Sequence, residues 1–449
     1  MNKIIMKTII KNAQIINEGK EFSGFVILEN DYIAEVGYGH PPVLDNVTVY
    51  DAEGALLIPG CIDDQVHFRE PGLTHKGDLW TESKSAVAGG ITSYMEMPNT
   101  QPPALTLELL EEKYARASEV SWANHSFYMG TASDNLKEIE RCDPKKICGL
   151  KIFLGSSTGN LYVDDPVILE KVFRSSPFII ALHCEKESLI RENLHNALNK
   201  WGNHIPISLH PQIRSEEACY RSSSEAIELA EKTGARIHIL HISTARECQL
   251  FQSDIPLEEK KITAEACIHH LWFCDADYAA RGTWIKWNPA IKTQNDRDEI
   301  RRAVLDGRID VVATDHAPHT LEEKLRPYTE CPSGGPLVQH ALVAMLEMAE
   351  QGLWPITHVV ELMCHKPARL FQIEKRGFLR PGYYADIVLV EKNSWKVSKE
   401  NILYKCGWSP FENQTFQYKV KATFVNGQLL FDNGHFNDFK PGYRLTFDR

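Results

Sequence analysis

The chain has 449 residues, 43% of them hydrophobic and 24% charged, with a formal net charge of −11. Those fractions belong to an ordinary globular protein, and the length calls for a large catalytic domain joined to a smaller one. The acidic balance excludes a nucleic-acid or anionic-membrane binder, which needs a basic face, but it allows a small anionic substrate in a local basic pocket.

In chain order, the N-terminus "MNKIIMKTIIKNAQ" lacks the apolar core of a signal peptide, and no segment has the length of a transmembrane helix. From Lys7 to about Asp51 the chain reads as short strands, "TIIKNAQII", "GFVILEN", "YIAEVGY" and "VTVYDA", punctuated by Asn, Gly and Asp. The middle changes texture. Apolar runs recur: "LLIPGCID", "ITSYMEM", "HSFYMG", "ICGLKIFL", "FIIALHCE", "RIHILHIS", "ITAEACI" and "IDVVATDHA". Helix-compatible stretches such as "SSSEAIELAEKTG" and "DRDEIRRAVLDG" separate several of them. Strand and helix alternating at this count predict an α/β fold, a parallel (β/α)8 TIM barrel. The C-terminal part returns to strands in "ADIVLVEK" and "KATFVNGQLLFDNG", where Asn-Gly marks a hairpin turn. Residues 59–370 are therefore expected to form the barrel, with residues 1–58 and 371–449 meeting in one small β-sandwich domain. Eleven scattered cysteines without a CxxC pair predict reduced thiols and a cytoplasmic protein.

The barrel runs end in His67, Asn99, Lys151, His183, His241 and Asp315. The C-terminal strand ends of a barrel form one rim, where catalytic groups sit, so residues far apart in sequence converge there. A lone histidine after an apolar run is more often a core residue than a ligand. His183 and His241 at equivalent ends, with His67 and Asp315 on two others, reverse that expectation and predict a catalytic Zn²⁺ site. Lys151 on an apolar strand is either a lysine reaching the rim or a neutral amine that takes up CO₂ as a carbamate. Asp315 in "ATDHAPHT" is placed to take a proton from an attacking water and return it to a leaving nitrogen. Arg69 lies two residues beyond His67 on the same side of an extended segment. It offers a planar fork to a substrate carboxylate, with a salt bridge to Glu70 as the alternative. Asn99 and Asn288 are candidates for amide contacts, though Asn before Pro is also a turn device.

Together "HFREPG", "GGITSYMEMPNT", "LKIFL", "ALHCE", "ILHIS", "EACIHHLWF" and "ATDHAPHTLEEK" resemble the dihydroorotases of the amidohydrolase superfamily, over about Pro59 to Phe378. The resemblance implies reversible cyclisation of N-carbamoyl-L-aspartate to L-dihydroorotate and water, a step of pyrimidine biosynthesis. It implies a zinc centre of one or two ions held by His67, Lys151, His183, His241 and Asp315, with Lys151 carboxylated as a bridging ligand. Arg69, Asn99 and His319 match positions that hold the substrate carboxylate, and Asn288 matches a ring contact. Gly334 in "SGGP" matches a backbone contact. Gly155 to Gly159 reads as a mobile lid or an ordinary turn. The family pattern His-x-His is broken here by Gln65, so one firm zinc and one weaker zinc are expected. The expected partner is a small molecule, with no nucleic acid or membrane, and a homodimer is compatible with the sequence. Two alternatives stand beside this one: another cyclic amidase of the hydantoinase, dihydropyrimidinase or allantoinase type, and a catalytically silent homologue serving as a scaffold subunit.

Overall fold

The eight apolar runs are strands in the computed structural model, which describes residues 6–155, 161–163 and 165–449. We label them β1 (Cys61–Val66), β2 (Ile91–Glu96), β3 (Asn124–Phe127, resuming as Met129–Gly130), β4 (Leu150–Phe153), β5 (Ile180–His183), β6 (Ile237–Ile239), β7 (Ile262–Cys267) and β8 (Val311–Ala313). Each pairs in parallel with the next. The ring closes where Val66 bridges His316 in parallel and the His67 N–H donates to the His316 carbonyl at 2.7 Å. Apart from half-exposed Ile262, every strand residue is buried, which is why the runs read as continuous apolar stretches rather than alternating ones.

Local chemistry fixes the helices between them. Ser215 caps the helix Glu216–Thr233 through the Ala218 N–H, and Gly234 ends it in the left-handed conformation at φ 77°. The helix Gln294–Asp306 starts on a reciprocal Thr293–Asp296 cap and stops at Gly307, φ 83°. Among the described residues, no helix is long and apolar enough to cross a membrane.

Strands from the two chain ends share one nine-stranded sheet. Leu56–Pro59 lies between Lys7–Asn17 on one side and Ile387–Lys396 on the other. Strands from the two ends of the chain also meet through their side chains. The Tyr50 ring meets the edge of Phe424 at 5.7 Å, and its hydroxyl donates to Asp432 at 2.8 Å. Ile10, Val26, Leu28 and Leu57 pack there with Leu389, Ala422 and Phe424.

Where the barrel meets this sheet, His340 is completely buried beside the Tyr404 hydroxyl, 2.9 Å from Nδ1. Burial pushes its pKa down to about 3. Below the ordinary histidine value the unfolded chain therefore binds a proton that the folded chain refuses, and stability falls as the pH drops. We expect His340→Gln to lose about 2 kcal/mol less than the parent between pH 7 and pH 5, read from urea midpoints at the two pH values.

Candidate active site

At the C-terminal rim a narrow cavity is lined by Gln65 on β1, by His67 and Arg69 just after it, by Lys151 and Phe153 on β4, and by His183 on β5. His241, Trp287, Asn288, Asp315 and Gly334 complete it, and about 30 Å³ of it admits the centre of a water molecule. The convergence expected of His67, Lys151, His183, His241 and Asp315 is therefore present.

Lys151 is 1% exposed, its Nζ has no hydrogen-bond partner, and it lies 4.6 Å from the centre of the Phe153 ring. Desolvation brings its pKa down to about 7. A buried amine without a partner is costly. Next to it, His183 Nδ1 faces His241 Nε2 at 3.0 Å with the rings nearly perpendicular. Burial holds both imidazoles below their ordinary pKa, hence neutral at pH 7. His183 Nε2 lies 3.1 Å from Glu185 Oε2, and Arg214 engages the same oxygen. Against the opposing effect of burial, Arg214 and His183 keep the Glu185 carboxyl down at about 2. An anionic Glu185 beside Nε2 favours the tautomer that keeps its proton there and leaves Nδ1 with its lone pair toward the cavity. Two imidazole nitrogens beside an orphaned amine fit the donor set of a Zn²⁺ ion, with the amine becoming an oxygen donor once carboxylated.

The other side of the cavity is arranged differently. Asn99 Oδ1 lies 2.7 Å from His67 Nδ1 and fixes the tautomer, so Nε2 turns to Asp315 Oδ1 at 3.1 Å. Gln65 Nε2 donates to that same oxygen at 3.2 Å, while its Oε1 faces the Cys267 thiol at 3.8 Å. The amide nitrogen has no lone pair for a metal, so Gln65 orients Asp315 instead of supplying a ligand. We expect Gln65→His to tighten a second Zn²⁺ by at least about tenfold, measured by titrating metal-free protein with Zn²⁺.

Arg69 is 3% exposed; its Nε donates to the Pro318 carbonyl at 3.0 Å. Glu70 does not pair with it. That carboxylate takes Arg116 at 2.8 Å and the Leu79 N–H at 2.9 Å. Among the described residues, no carboxylate lies within 4 Å of the Arg69 guanidinium. His319 backs the arginine, with Nε2 3.1 Å from its terminal nitrogen. Lys76 Nζ lies 3.0 Å from His319 Nδ1, and the Ser333 carbonyl lies 3.0 Å from its Nε2. Burial, then the Arg69 charge, pushes the His319 pKa well below its usual value. Asn99 and His319 thus stand beside His67 and Arg69.

Asn288 lines the cavity, and its buried Oδ1 has no partner. Gly334 adopts φ 124°, and a Cβ there would come within 2.6 Å of the Ala317 carbonyl. Its N–H donates to the Lys286 carbonyl at 2.8 Å, and its own carbonyl accepts from Lys324 Nζ at 2.7 Å. Of the segment Gly155 to Gly159, residues 156–159 lie outside the described residues.

Sequence inspection missed Glu185, Lys76, Lys324 and Trp287. Only Glu185 carried a signal: it lies two residues beyond His183, on the same side of an extended segment. Also unforeseen is the backbone. Arg69, His241 and Asp315 all adopt left-handed φ, at 72°, 41° and 47°. Such conformations cost non-glycine residues energy and gather at functional sites.

A parallel barrel gathers imidazoles, a buried amine and a carboxylate at its C-terminal rim, where barrel enzymes place their catalytic groups. Residues 56–430 match the Amidohydrolase family, and the chain belongs to that family. A dihydroorotase of Halobacterium salinarum is 31% identical over 412 residues, covering 90% of this chain and 92% of its own. An allantoinase of Bacillus velezensis is 29% identical over 436 residues, covering 95% and 94%. Among solved structures, L-hydantoinase (dihydropyrimidinase) from Arthrobacter aurescens has a TM-score of 0.92 at 23% identity, over 98% of this chain and 99% of its own. At that identity the likeness is one of fold.

Proposed function

We propose that the chain is a zinc-dependent dihydroorotase that interconverts L-dihydroorotate and N-carbamoyl-L-aspartate. The observation that carries this over allantoinase or hydantoinase activity is Arg69. It is a buried guanidinium on the cavity wall with no protein carboxylate within 4 Å, held by Pro318 and backed by His319. Dihydroorotate carries a carboxylate that matches such a fork, whereas the hydantoin and allantoin rings carry none. We further propose residues 59–370 as the catalytic domain and residues 1–58 with 371–449 as the sheet domain. The pairing of Leu56–Val390 and Pro59–Ile387 supports the second of these.

In this reading His67, Lys151, His183, His241 and Asp315 hold Zn²⁺, with Lys151 carboxylated. Bound there, Zn²⁺ activates water at neutral pH and polarises the scissile carbonyl. Arg69 takes the ring carboxylate and fixes the substrate's orientation. Asn288 Oδ1 accepts a ring N–H, and Gly334 packs beneath the ring because no side chain fits there. In hydrolysis Asp315 removes a proton from water as its oxygen bonds to the ring carbonyl carbon. When the C–N bond breaks, Asp315 returns that proton to the leaving nitrogen. Cyclisation runs the same transfers backwards and releases water. Asn99 and Gln65 keep His67 and Asp315 aligned throughout.

The test measures dihydroorotate hydrolysis and carbamoyl-aspartate cyclisation beside allantoin, hydantoin and dihydrouracil hydrolysis, with zinc counted in the same sample. Preference for a ring without a carboxylate would transfer the assignment to the other amidases. No turnover of any of them with zinc bound would leave a silent homologue. We expect Arg69→Met to lower kcat/KM for dihydroorotate about 10²–10³-fold with zinc content unchanged.

A further inference from the structure

Beneath the rim, the barrel interior contains a second group of ligand-type side chains that the proposed reaction does not use. Asp64 on β1, His238 on β6 and Glu265 on β7 are all completely buried, and one donor atom of each lies within 4.8 Å of the other two. Among the described residues, neither oxygen of Asp64 has a hydrogen-bond partner, nor has Glu265 Oε2 or His238 Nε2. Among the described residues, no lysine or arginine pairs with either carboxylate.

The tautomer of His238 can be worked out from its neighbour. The Thr263 hydroxyl donates its proton to the Ile237 carbonyl at 3.1 Å, so its oxygen must accept from His238 Nδ1–H, at 2.9 Å. In the neutral ring Nε2 then carries a bare lone pair, and two carboxylate oxygens lie near it, Asp64 Oδ2 at 3.3 Å and Glu265 Oε2 at 3.9 Å. Lone pairs facing one another in a dry interior repel unless a cation lies between them. A proton on Nε2 would draw a carboxylate to about 2.7–2.9 Å, closer than either is. Two donors each about 2.1 Å from a tetrahedral Zn²⁺ are roughly 3.4 Å apart, close to the 3.3 Å from Nε2 to Asp64 and shorter than the 3.9 Å to Glu265. Burial, then the Asp64 charge, pushes the Glu265 carboxyl well above the usual carboxylate range, and one divalent ion would offset the charge of both groups.

We propose that Asp64, His238 and Glu265 bind a divalent first-row cation, Zn²⁺ in the first instance, inside the barrel and apart from the catalytic centre. The ion is structural in effect. Glu265 Oε1 accepts the His241 N–H at 3.0 Å, so fixing Glu265 also fixes the backbone that presents His241 to the rim. Asp64 itself is held in place by the Tyr128 hydroxyl, which donates to its carbonyl at 3.0 Å.

The test incubates purified full-length protein with Zn²⁺ alone, dialyses it, counts zinc per chain, and collects diffraction on both sides of the zinc absorption edge. We expect an anomalous peak among Asp64, His238 and Glu265 in addition to any at the rim. We also expect Asp64→Asn to lose one equivalent of zinc and to melt at a lower temperature. Rim peaks with no peak in the interior would overturn the proposal, as would an Asp64→Asn protein that keeps every equivalent. If that variant does not fold, diffraction from the parent decides alone. None of these outcomes depends on which substrate the rim turns over.

Discussion

Asp315→Asn lowers kcat by at least about 10³-fold and moves KM only a few-fold, while the protein stays folded. The size follows from the work assigned to the carboxylate, one proton taken and one returned in each turnover, which an amide cannot do. The expectation of a folded variant comes from the local structure. Asparagine tolerates the left-handed φ of 47° at this position better than most residues. The backbone carbonyl of residue 315 still accepts from the Trp287 indole, at 3.4 Å. Steady-state kinetics beside a thermal melt check both parts. A loss of less than tenfold with an unchanged melt would remove Asp315 from the proton path.

Lys151→Met gives the other large effect, and it appears first in metal content. Methionine fills the buried space next to Phe153 but provides neither an amine nor a carbamate. We expect zinc affinity to fall by more than about 100-fold and turnover to become undetectable. The parent protein supplies a complementary measurement. Only the unprotonated amine reacts with CO₂, and burial brings the Lys151 pKa to about 7. The reactive fraction is thus large at pH 8 and small at pH 6. At one fixed concentration of dissolved CO₂, metal-free protein should accordingly take up zinc about tenfold faster at pH 8 than at pH 6. Equal rates at the two pH values, or no dependence on bicarbonate, would speak against carboxylation.

The rim was legible because of how barrels are encoded. An apolar run that stops at His183, His241 or Asp315 reports a strand end directly, and in a parallel barrel strand ends share one face. Other features depend on partners that no local pattern joins. Arg69 and His319 meet across 250 positions, and Arg214 reaches Glu185 across 29. From the sequence, Asn99 and His319 were expected on the substrate; the folded chain also sets them against His67 and Arg69, contacts that composition cannot carry. Gln65 likewise read only as an absent ligand. Its amide has a partner of its own in Asp315, which becomes visible only once β1 and β8 lie side by side. Nor does any residue pattern announce left-handed φ at arginine, histidine and aspartate, since the conformation is imposed by the packing around the rim.

The shared terminal sheet also bears on how the protein is made. Leu56–Pro59 pairs with early residues on one edge, but its other edge waits for Ile387–Val390, about 330 residues later in the chain. At ordinary translation rates that interval lasts on the order of tens of seconds. Throughout it a nascent chain presents an unpaired hydrophobic edge, the kind that recruits strands from neighbouring chains. Yield should therefore depend on ribosome density and chaperone supply more steeply than for a barrel with no such sheet. A circular permutant translating Ile387–Val425 before Lys7 would close that edge within its first hundred or so residues, without altering a single contact of the finished fold.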